Sequence, residues 1–137
     1  DMRYAAPGTK LCIMELRWGL VPDMGATPFL QKLVGDDVAR ELTYTNRVIL
    51  AEEAQELGLV TRVCENPVKE ALKIAAEIAN RNPAAIRAAK RLLNNAPFER
   101  PAETLMAESV EQDAIIGSPN QVEAVMANLE KREPKFS

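Results

Sequence analysis

The sequence predicts an α/β fold in which the strands are confined to the first half of the chain. Leu59 to Cys64 is rich in β-branched residues and is predicted to be the last strand. After it no strand pattern recurs, and four helices are expected because proline is favoured at the first helical position. They would begin at Asn66-Pro67, Asn82-Pro83, Arg100-Pro101 and Ser118-Pro119. The change of pattern divides the chain into residues 1–65 and 66–137.

The earlier elements are predicted from apolar runs and from turn and cap signals. Leu11 to Val21 is an apolar run predicted to form a mostly buried strand or extended segment. Thr27 followed by Pro28 predicts a helix start, and Gly35 would end that helix in a left-handed conformation. A second short helix is expected from about Val38 to Tyr44. Two short helices therefore follow the apolar run.

Two residues near the third helix are predicted to be unusual. Asn46 is expected at a position of positive φ, because asparagine adopts left-handed conformations more readily than most residues. Leu50 precedes the helical segment Ala51 to Leu57, where a Ser or Asp cap is expected. This helix start is predicted to lose about 1 kcal/mol of capping. Gly58 would end the helix before the last strand.

The helices after Asn66 are predicted to be amphipathic. Apolar residues recur at helical spacing in the first and last of them, so each needs an apolar partner in the core or on another subunit. These residues are Val68, Ala71, Leu72, Ala75, Ile78 and Ala79, and then Val122, Val125, Met126 and Leu129. Between them, Arg81 to Arg100 is basic and Glu103 to Asp113 is acidic. The two runs are either solvated faces or adjacent helices that pair through charge.

Composition and charge exclude several classes of function. Seventeen basic residues stand against twenty acidic ones and only 4% of residues are aromatic, whereas a general nucleic-acid surface needs a basic field and usually stacking rings. No nucleic-acid partner is therefore expected. The 47% apolar content predicts a soluble globular protein with a core. No apolar run is long enough for a membrane span and no secretory pattern is visible, so a cytoplasmic location is expected.

Metal and nucleotide-loop chemistry are not expected either. The chain contains no histidine, which removes Ser-His and Cys-His nucleophiles and histidine metal ligands. Cys12 and Cys64 have no CxxC spacing and are predicted to be buried free thiols. Neither a GxxxxGK[ST] nor a GxGxxG motif is present. Acid/base chemistry therefore falls mainly to carboxylates.

Glu15 is the carboxylate that the sequence singles out. It lies inside the apolar run, where burial would favour its protonated form and suit a group that gives and takes a proton near neutrality. In a strand, however, Arg17 would lie on the same face and could simply form an ion pair with Glu15. On the residues alone the ion pair is the preferred interpretation, because an ion pair with a purely structural role also shifts the pKa of a carboxyl group.

A series of motifs spans nearly the whole chain in a fixed order. They are Asp1-Met2-Arg3-Tyr4-Ala5-Ala6, Met14-Glu15, Trp18-Gly19-Leu20-Val21-Pro22, Gly25-Ala26-Thr27, Thr45-Asn46-Arg47-Val48-Ile49, Ala51-Glu52-Glu53-Ala54, Leu57-Gly58-Leu59-Val60, and Leu129-Glu130-Lys131-Arg132 with Pro134 and Phe136. In this order and spacing the chain resembles the C-terminal half of an enoyl-CoA hydratase/isomerase (crotonase) family domain. Asn46 departs from the family, which usually has glycine there.

The resemblance implies a fold and a reaction class. Residues 1–65 would form the end of a crotonase-type ββα spiral, and residues 66–137 an α-helical C-terminal trimerisation region that builds homotrimers or hexamers. Family members bind acyl-CoA thioesters and stabilise an enolate-like anion with two backbone N–H groups. Those donors, and the position that often carries a first catalytic carboxylate, belong to earlier family segments with no counterpart here. The isolated chain is therefore expected to be inactive.

Within the family, the most direct expectation is an enoyl-CoA hydratase, which adds water to a 2-enoyl-CoA. Glu15 falls at the family's second catalytic carboxylate position, and the resemblance therefore overturns the ion-pair interpretation. An isomerase, in which a single carboxylate moves a proton along the acyl chain, or another crotonase-type reaction is the alternative. Coenzyme A would be part of the substrate, and no separate cofactor is expected.

The resemblance also implies residues that bind the substrate. Trp18, Pro22 and Met24 would shape the acyl pocket, and the backbone of Asp23 occupies a place where relatives commonly have a glycine that contacts the reacting water. Trp18 and Met24 are equally compatible with core packing. Lys131 matches a terminal basic residue that in relatives reaches the CoA head group, or is simply an exposed lysine. A different class of function remains open, a non-catalytic helical module for oligomerisation and CoA contact.

Overall fold

A computed structural model describes residues 1–18, 20–22, 26–95 and 101–137. Its elements are β1 (Tyr4–Ala5), β2 (Lys10–Leu11), a 3₁₀ helix (Glu15–Trp18), α1 (Ala26–Val34), α2 (Asp36–Thr45), β3 (Ile49–Leu50), α3 (Ala51–Glu56), β4 (Arg62–Val63), α4 (Pro67–Ala79), α5 (Pro83–Asn95), α6 (Pro101–Ile115) and α7 (Pro119–Glu130). The predicted α/β class is confirmed in a mostly helical form. Two compact units, Asp1–Leu72 and Lys73–Ser137, divide the chain within α4.

The strands of the first unit form two short pairs. β1 is parallel to β4, with Tyr4 opposite Arg62, and β2 is antiparallel to β3, with Leu11 opposite Ile49. Because each strand has only two residues, the pairs depend on flanking hydrogen bonds. Arg3 supplies several of these for the β1–β4 pair, since its carbonyl oxygen accepts from Thr61 N at 2.8 Å and its Nε donates to the Leu59 carbonyl at 2.5 Å.

Two apolar clusters hold the first unit together through burial of hydrocarbon surface. One cluster lies between the strands and helices α2 and α3. Its buried members are Ala5, Leu42, Ile49, Ala51, Ala54 and Val60. The other joins α1 to α2 through Leu30, Val34 and Ala39. Ile13, Val38, Leu57 and Leu59 are half-buried against both clusters, so the clusters form one continuous core.

The prediction of one extended segment from Leu11 to Val21 is wrong. Strand pairing ends at Leu11, and a 3₁₀ helix begins at Glu15. β3 offers only two residues for antiparallel pairing, so the backbone polar groups beyond Leu11 need other partners. Local bonds supply them in the 3₁₀ helix, where Arg17 N donates to the Met14 carbonyl at 3.1 Å.

Other boundaries in the first unit shift by a few residues. The last strand is Arg62–Val63 and not the whole run from Leu59 to Cys64. The preceding residues form a turn in which Val60 N donates to the Ala54 carbonyl at 2.9 Å. α1 ends before Gly35 as predicted, but this glycine has φ 84° and ψ 161°, which is not the left-handed helical conformation. Cys12 and Cys64 are free thiols that are half-buried, not fully buried.

The four helices predicted from proline positions are confirmed, because α4 to α7 begin at Pro67, Pro83, Pro101 and Pro119. Three of them have a side-chain cap of the expected kind. Asn66 Oδ1 accepts from Lys69 N and Asn82 Oδ1 from Ala84 N, both at 2.9 Å, and Ser118 Oγ accepts from Gln121 N at 3.3 Å. Arg100, the residue before Pro101, lies outside the described residues.

The second unit contains the C-terminal part of α4 together with α5, α6 and α7. Of the two alternatives left open for the charged runs, pairing between helices is observed at one place, where Arg91 donates to both carboxylate oxygens of Glu111 at 2.6 Å. These hydrogen bonds hold the pKa of Glu111 below its usual value. The apolar residue Leu129 on α7 is 74% exposed, and Val68 on α4 is 69% exposed. In the described residues no helix is both long and apolar enough to cross a membrane.

Candidate functional site

Glu15 stands at the first position of the 3₁₀ helix in the first unit. Its backbone is fixed on the C-terminal side, because Leu20 N donates to the Glu15 carbonyl at 3.1 Å. The side chain is half-buried, and its Oε2 atom is fully buried and has no hydrogen-bond partner among the residues that the structure describes. Buried polar atoms are almost always hydrogen-bonded, and the exceptions often have a functional role. The structure therefore sets the Glu15 carboxylate apart from an ordinary surface glutamate.

Glu15 and Arg17 form no ion pair, although both residues are among those described. The reason is the local conformation, since a 3₁₀ helix has three residues per turn and places residues i and i+2 on different sides. The Arg17 side chain is exposed to solvent. The ion-pair interpretation therefore loses its structural basis.

The segment that leads into Glu15 is attached to the end of α2. Cys12 Sγ donates to the Asn46 carbonyl at 3.2 Å, and Asn46 Nδ2 donates to the Ile13 carbonyl at 2.8 Å. Sequence reasoning identified Asn46 only as a residue that tolerates positive φ, which is confirmed by its φ of 51°. Its side-chain bond to Ile13, 33 residues away in sequence, has no local signal from which it could be found.

The residues predicted to shape the acyl pocket differ in how far they are buried. Trp18 is 71% exposed and is not part of either apolar cluster of the first unit. Pro22 is half-buried and lines a cavity of about 310 Å³ together with residues of α1 and α2. Asp23 and Met24 lie outside the described residues. Glu15, Trp18 and Pro22 thus belong to one unit, with Glu15 and Trp18 in the same 3₁₀ helix.

An apolar cavity of about 360 Å³ lies next to the segment before Glu15. It is lined by Leu11, Cys12, Ile13, Ala26, Phe29, Leu30, Leu33, Leu42, Arg47, Ile49 and Leu59. Arg47 is the charged member, and its guanidinium already bonds to Glu41 and Glu53 at 2.7 Å. Glu15 does not line this cavity. The cavity therefore offers apolar volume beside the candidate site but no second catalytic carboxylate.

Lys131 belongs to the second unit and has an exposed side chain. It ends α7 in a left-handed conformation with φ 54°, and the chain then turns back along that helix. Arg132 bonds to both carboxylate oxygens of Glu123 at 2.6 and 2.9 Å, while Ser137 N donates to Asn120 Oδ1 at 3.0 Å. The position of the Lys131 backbone is therefore well defined at the end of α7.

Comparison with known proteins identifies a family and relatives that match nearly the whole chain. A family model described as enoyl-CoA hydratase/isomerase matches residues 1–137. The chain is 36% identical to the crotonyl-CoA hydratase of Syntrophomonas wolfei, over 99% of this chain and 53% of that protein. It is 30% identical to a Delta(3,5)-Delta(2,4)-dienoyl-CoA isomerase of Dictyostelium discoideum, over 99% of this chain and 47% of that protein.

A solved structure gives the same result for the fold. The crystal structure of an enoyl-CoA hydratase from Bacillus anthracis superimposes with a TM-score of 0.95 at 34% identity, covering 99% of this chain and 54% of that one. The chain spans about half the length of the relatives that it matches. Sequence, family model and fold thus agree over the whole chain, which belongs to the enoyl-CoA hydratase/isomerase family.

Proposed function

We propose that the protein acts as an enoyl-CoA hydratase, with Glu15 as the carboxylate that transfers a proton at the α-carbon of the acyl group. The observation that carries the proposal is the buried Oε2 atom of Glu15, which has no hydrogen-bond partner. A carboxyl group at such a place can exchange a proton with a substrate that reaches it. Membership of a family of hydratases and isomerases supports an acyl-CoA thioester as that substrate.

The proposed reaction adds the elements of water across a carbon–carbon double bond. The hydroxyl group of water bonds to the β-carbon, and a proton bonds to the α-carbon next to the thioester carbonyl. In the hydration direction the protonated Glu15 carboxyl gives its proton to the α-carbon. The proton that water loses on bonding to the β-carbon restores the protonated carboxyl, so the net change is the addition of one water molecule. Charge that develops on the thioester oxygen needs fixed donors, because such preorganised dipoles stabilise the transition state strongly.

We place those donors outside these 137 residues. The resemblance assigns them to family segments earlier than the ones matched here, and the chain spans about half of its relatives. Residues 1–137 alone are therefore proposed to lack turnover. Coenzyme A is proposed to enter as part of the substrate and not as a separate cofactor.

The remaining predicted residues take supporting roles in this proposal. Trp18, Pro22 and Met24 would border the acyl chain, and the exposure of Trp18 leaves its ring available for such a contact. The backbone of Asp23 would lie near the reacting water. Lys131 would contact the CoA head group, and its exposed side chain is compatible with that role. The exposed apolar faces of α4 and α7 support a homotrimer or hexamer.

Isomerisation is the second candidate reaction, and it is supported by the name of one relative. One relative at 30% identity is named a dienoyl-CoA isomerase. In that reaction a single carboxylate removes a proton at one carbon and returns it at another, so Glu15 alone would suffice as the base. The two reactions differ in product, because hydration gives a 3-hydroxyacyl-CoA and isomerisation gives a displaced double bond.

The test is an assay of the full-length protein with crotonyl-CoA, comparing the wild type with Glu15→Gln. Loss of the carboxylate is expected to lower kcat by about 10²- to 10⁴-fold, the usual contribution of a general acid or base. Glu52→Gln is the matched control, because Glu52 is exposed and its Oε1 accepts from Gly8 N at 2.9 Å, a bond that glutamine can keep. Unchanged turnover in Glu15→Gln would remove Glu15 from the mechanism. Turnover by residues 1–137 alone would contradict the placement of the donors outside them.

A further inference from the structure

We infer that Asn46 is a positioning residue for the candidate site, because its side-chain amide fixes the backbone two residues before Glu15 and so sets where the carboxylate stands. The inference rests on the proposed role of Glu15. It assigns a function to a side chain that, among the described residues, forms no hydrogen bond to the Glu15 carboxylate, Trp18 or Pro22.

Asn46 forms one side-chain hydrogen bond to α2 and two hydrogen bonds to the segment before Glu15. It ends α2 with φ 51° and ψ 27°, and Nδ2 donates to the carbonyl oxygens of Thr43 and Ile13, each at 2.8 Å. Its own carbonyl oxygen accepts from Cys12 Sγ at 3.2 Å. An amide nitrogen carries two hydrogens, so both are used. One half-buried residue thereby joins the last turn of α2 to the segment that enters the 3₁₀ helix.

Ile13 packs against both apolar clusters, but the hydrogen bonds that hold the backbone of this segment on either side end before they reach Ile13. Strand pairing with β3 stops at Leu11, and the 3₁₀ helix starts at Glu15. Among the described residues, the bond from Asn46 to the Ile13 carbonyl is the last long-range backbone attachment before Glu15. Leu20 N holds the Glu15 carbonyl on the far side. Asn46 and the 3₁₀ helix therefore fix Glu15 between them.

Backbone placement matters more than usual for this carboxylate. No hydrogen bond orients the buried Oε2 atom, so its position follows from the Glu15 backbone and from packing. Displacement of a reacting group by about 1 Å can reduce a rate by about 100-fold. A shift of the segment after loss of the Asn46 amide would thus reach the reacting atoms directly.

Asparagine combines two properties that can be separated experimentally. It tolerates positive φ, and it carries the amide that bonds to Ile13. Glycine adopts the same backbone conformation without strain but has no amide. Aspartate also tolerates positive φ but turns a carboxylate oxygen towards two carbonyl oxygens in place of the donor. Asn46→Gly and Asn46→Asp therefore remove the bond while keeping the backbone preference.

The experiment uses the full-length protein and crotonyl-CoA hydration. For Asn46→Gly we expect kcat to fall by about 3- to 30-fold, with KM changed by less than about twofold, since a mispositioned base impairs the chemical step and not binding. Asn66→Ala is the stability control, because it removes a helix cap without contacting the segment before Glu15. It is expected to lower Tm while leaving kcat unchanged.

A double variant separates this inference from the proposed function. If Asn46 acts through Glu15, then Asn46→Gly lowers the residual rate of Glu15→Gln no further, and the two effects are strongly non-additive. Wild-type kcat in Asn46→Gly together with an inactive Glu15→Gln overturns the inference and leaves the proposed function standing. Full activity in Glu15→Gln overturns the proposed function itself. If Asn46→Gly does not fold, Asn46→Asp carries the same test, and wild-type kcat in that variant also overturns the inference.

Discussion

Gly58 lies so close to Leu33 that a Cβ atom on the glycine would stand 2.5 Å from the Leu33 carbonyl oxygen. Gly58 follows the end of α3, and Leu33 is in the last turn of α1. The glycine also has φ +87°, a conformation that other residues rarely adopt. The close approach of α3 to the backbone of α1 therefore requires a glycine for two independent reasons.

Gly58→Ala is expected to lower the free energy of unfolding by about 2–4 kcal/mol, because it adds a backbone clash to the strain of positive φ. Gly8→Ala is the matched control, since Gly8 has φ +70° and a Cβ there would meet nothing within 4 Å. The control should cost about 1 kcal/mol. Urea unfolding of both variants measures the difference, and equal costs would show that the approach to Leu33 is unimportant.

Leu50 occupies a helix start at which a capping residue is expected to add stability. It is the N-cap of α3 with φ −89° and ψ 162°, and it forms no side-chain cap. Leu50→Ser should be more stable than Leu50→Ala by about 1 kcal/mol, because only serine supplies an acceptor for the first N–H groups of the helix. Comparing two small residues cancels the loss of the leucine side chain. Equal unfolding free energies for serine and alanine would mean that the helix start gains nothing from a cap.

Glu123 makes the C-terminal segment sensitive to acid. Arg132 and the Lys135 backbone N–H lower the pKa of Glu123 to about 2, from an ordinary value of 4.5. A lowered pKa means that the carboxylate stabilises the folded segment above pH 4.5, and that this contribution is lost as the pH falls from about 4.5 to about 2. The same contacts in a protonated side chain would be weaker.

The measurement is the NMR titration of the Glu123 carboxyl group together with the chemical shift of the Lys135 amide. Both signals should move with one midpoint near pH 2, because the amide donates to Glu123 Oε1 at 2.7 Å. Glu123→Gln should abolish the shift of the Lys135 amide in this range. A midpoint near 4.5 in the wild type would show that the Arg132 contact does not persist in solution.

The accuracy of the sequence predictions follows the range of the interactions that decide each element. α4 to α7 were predictable because a proline and, in three cases, a capping side chain act within one helical turn. The segment after Leu11 was not, because its conformation depends on how few residues β3 offers as partners. Strand length is a property of the partner, and apolar periodicity alone does not report it.

In the candidate site, too, the features with a local sequence signal were predictable and those set by distant residues were not. The apolar run around Glu15 pointed to a partly buried carboxylate, and its buried Oε2 atom agrees with that expectation. The surroundings of Trp18 and the bond from Asn46 to Ile13 are set by residues distant in sequence. A single sequence carries no local signal for such contacts, whereas the positive φ of Asn46 was predictable from its residue type.

The role of Glu15 can be followed at the α-carbon itself. When the full-length protein is incubated with 3-hydroxybutyryl-CoA in deuterated water, reversible reaction through crotonyl-CoA places deuterium at the acyl α-carbon, where mass spectrometry detects it. The account predicts that Glu15→Gln slows this incorporation by about 10²- to 10⁴-fold while CoA-ester binding, measured by calorimetry, changes little. Deuterium incorporation at the wild-type rate in Glu15→Gln would contradict it.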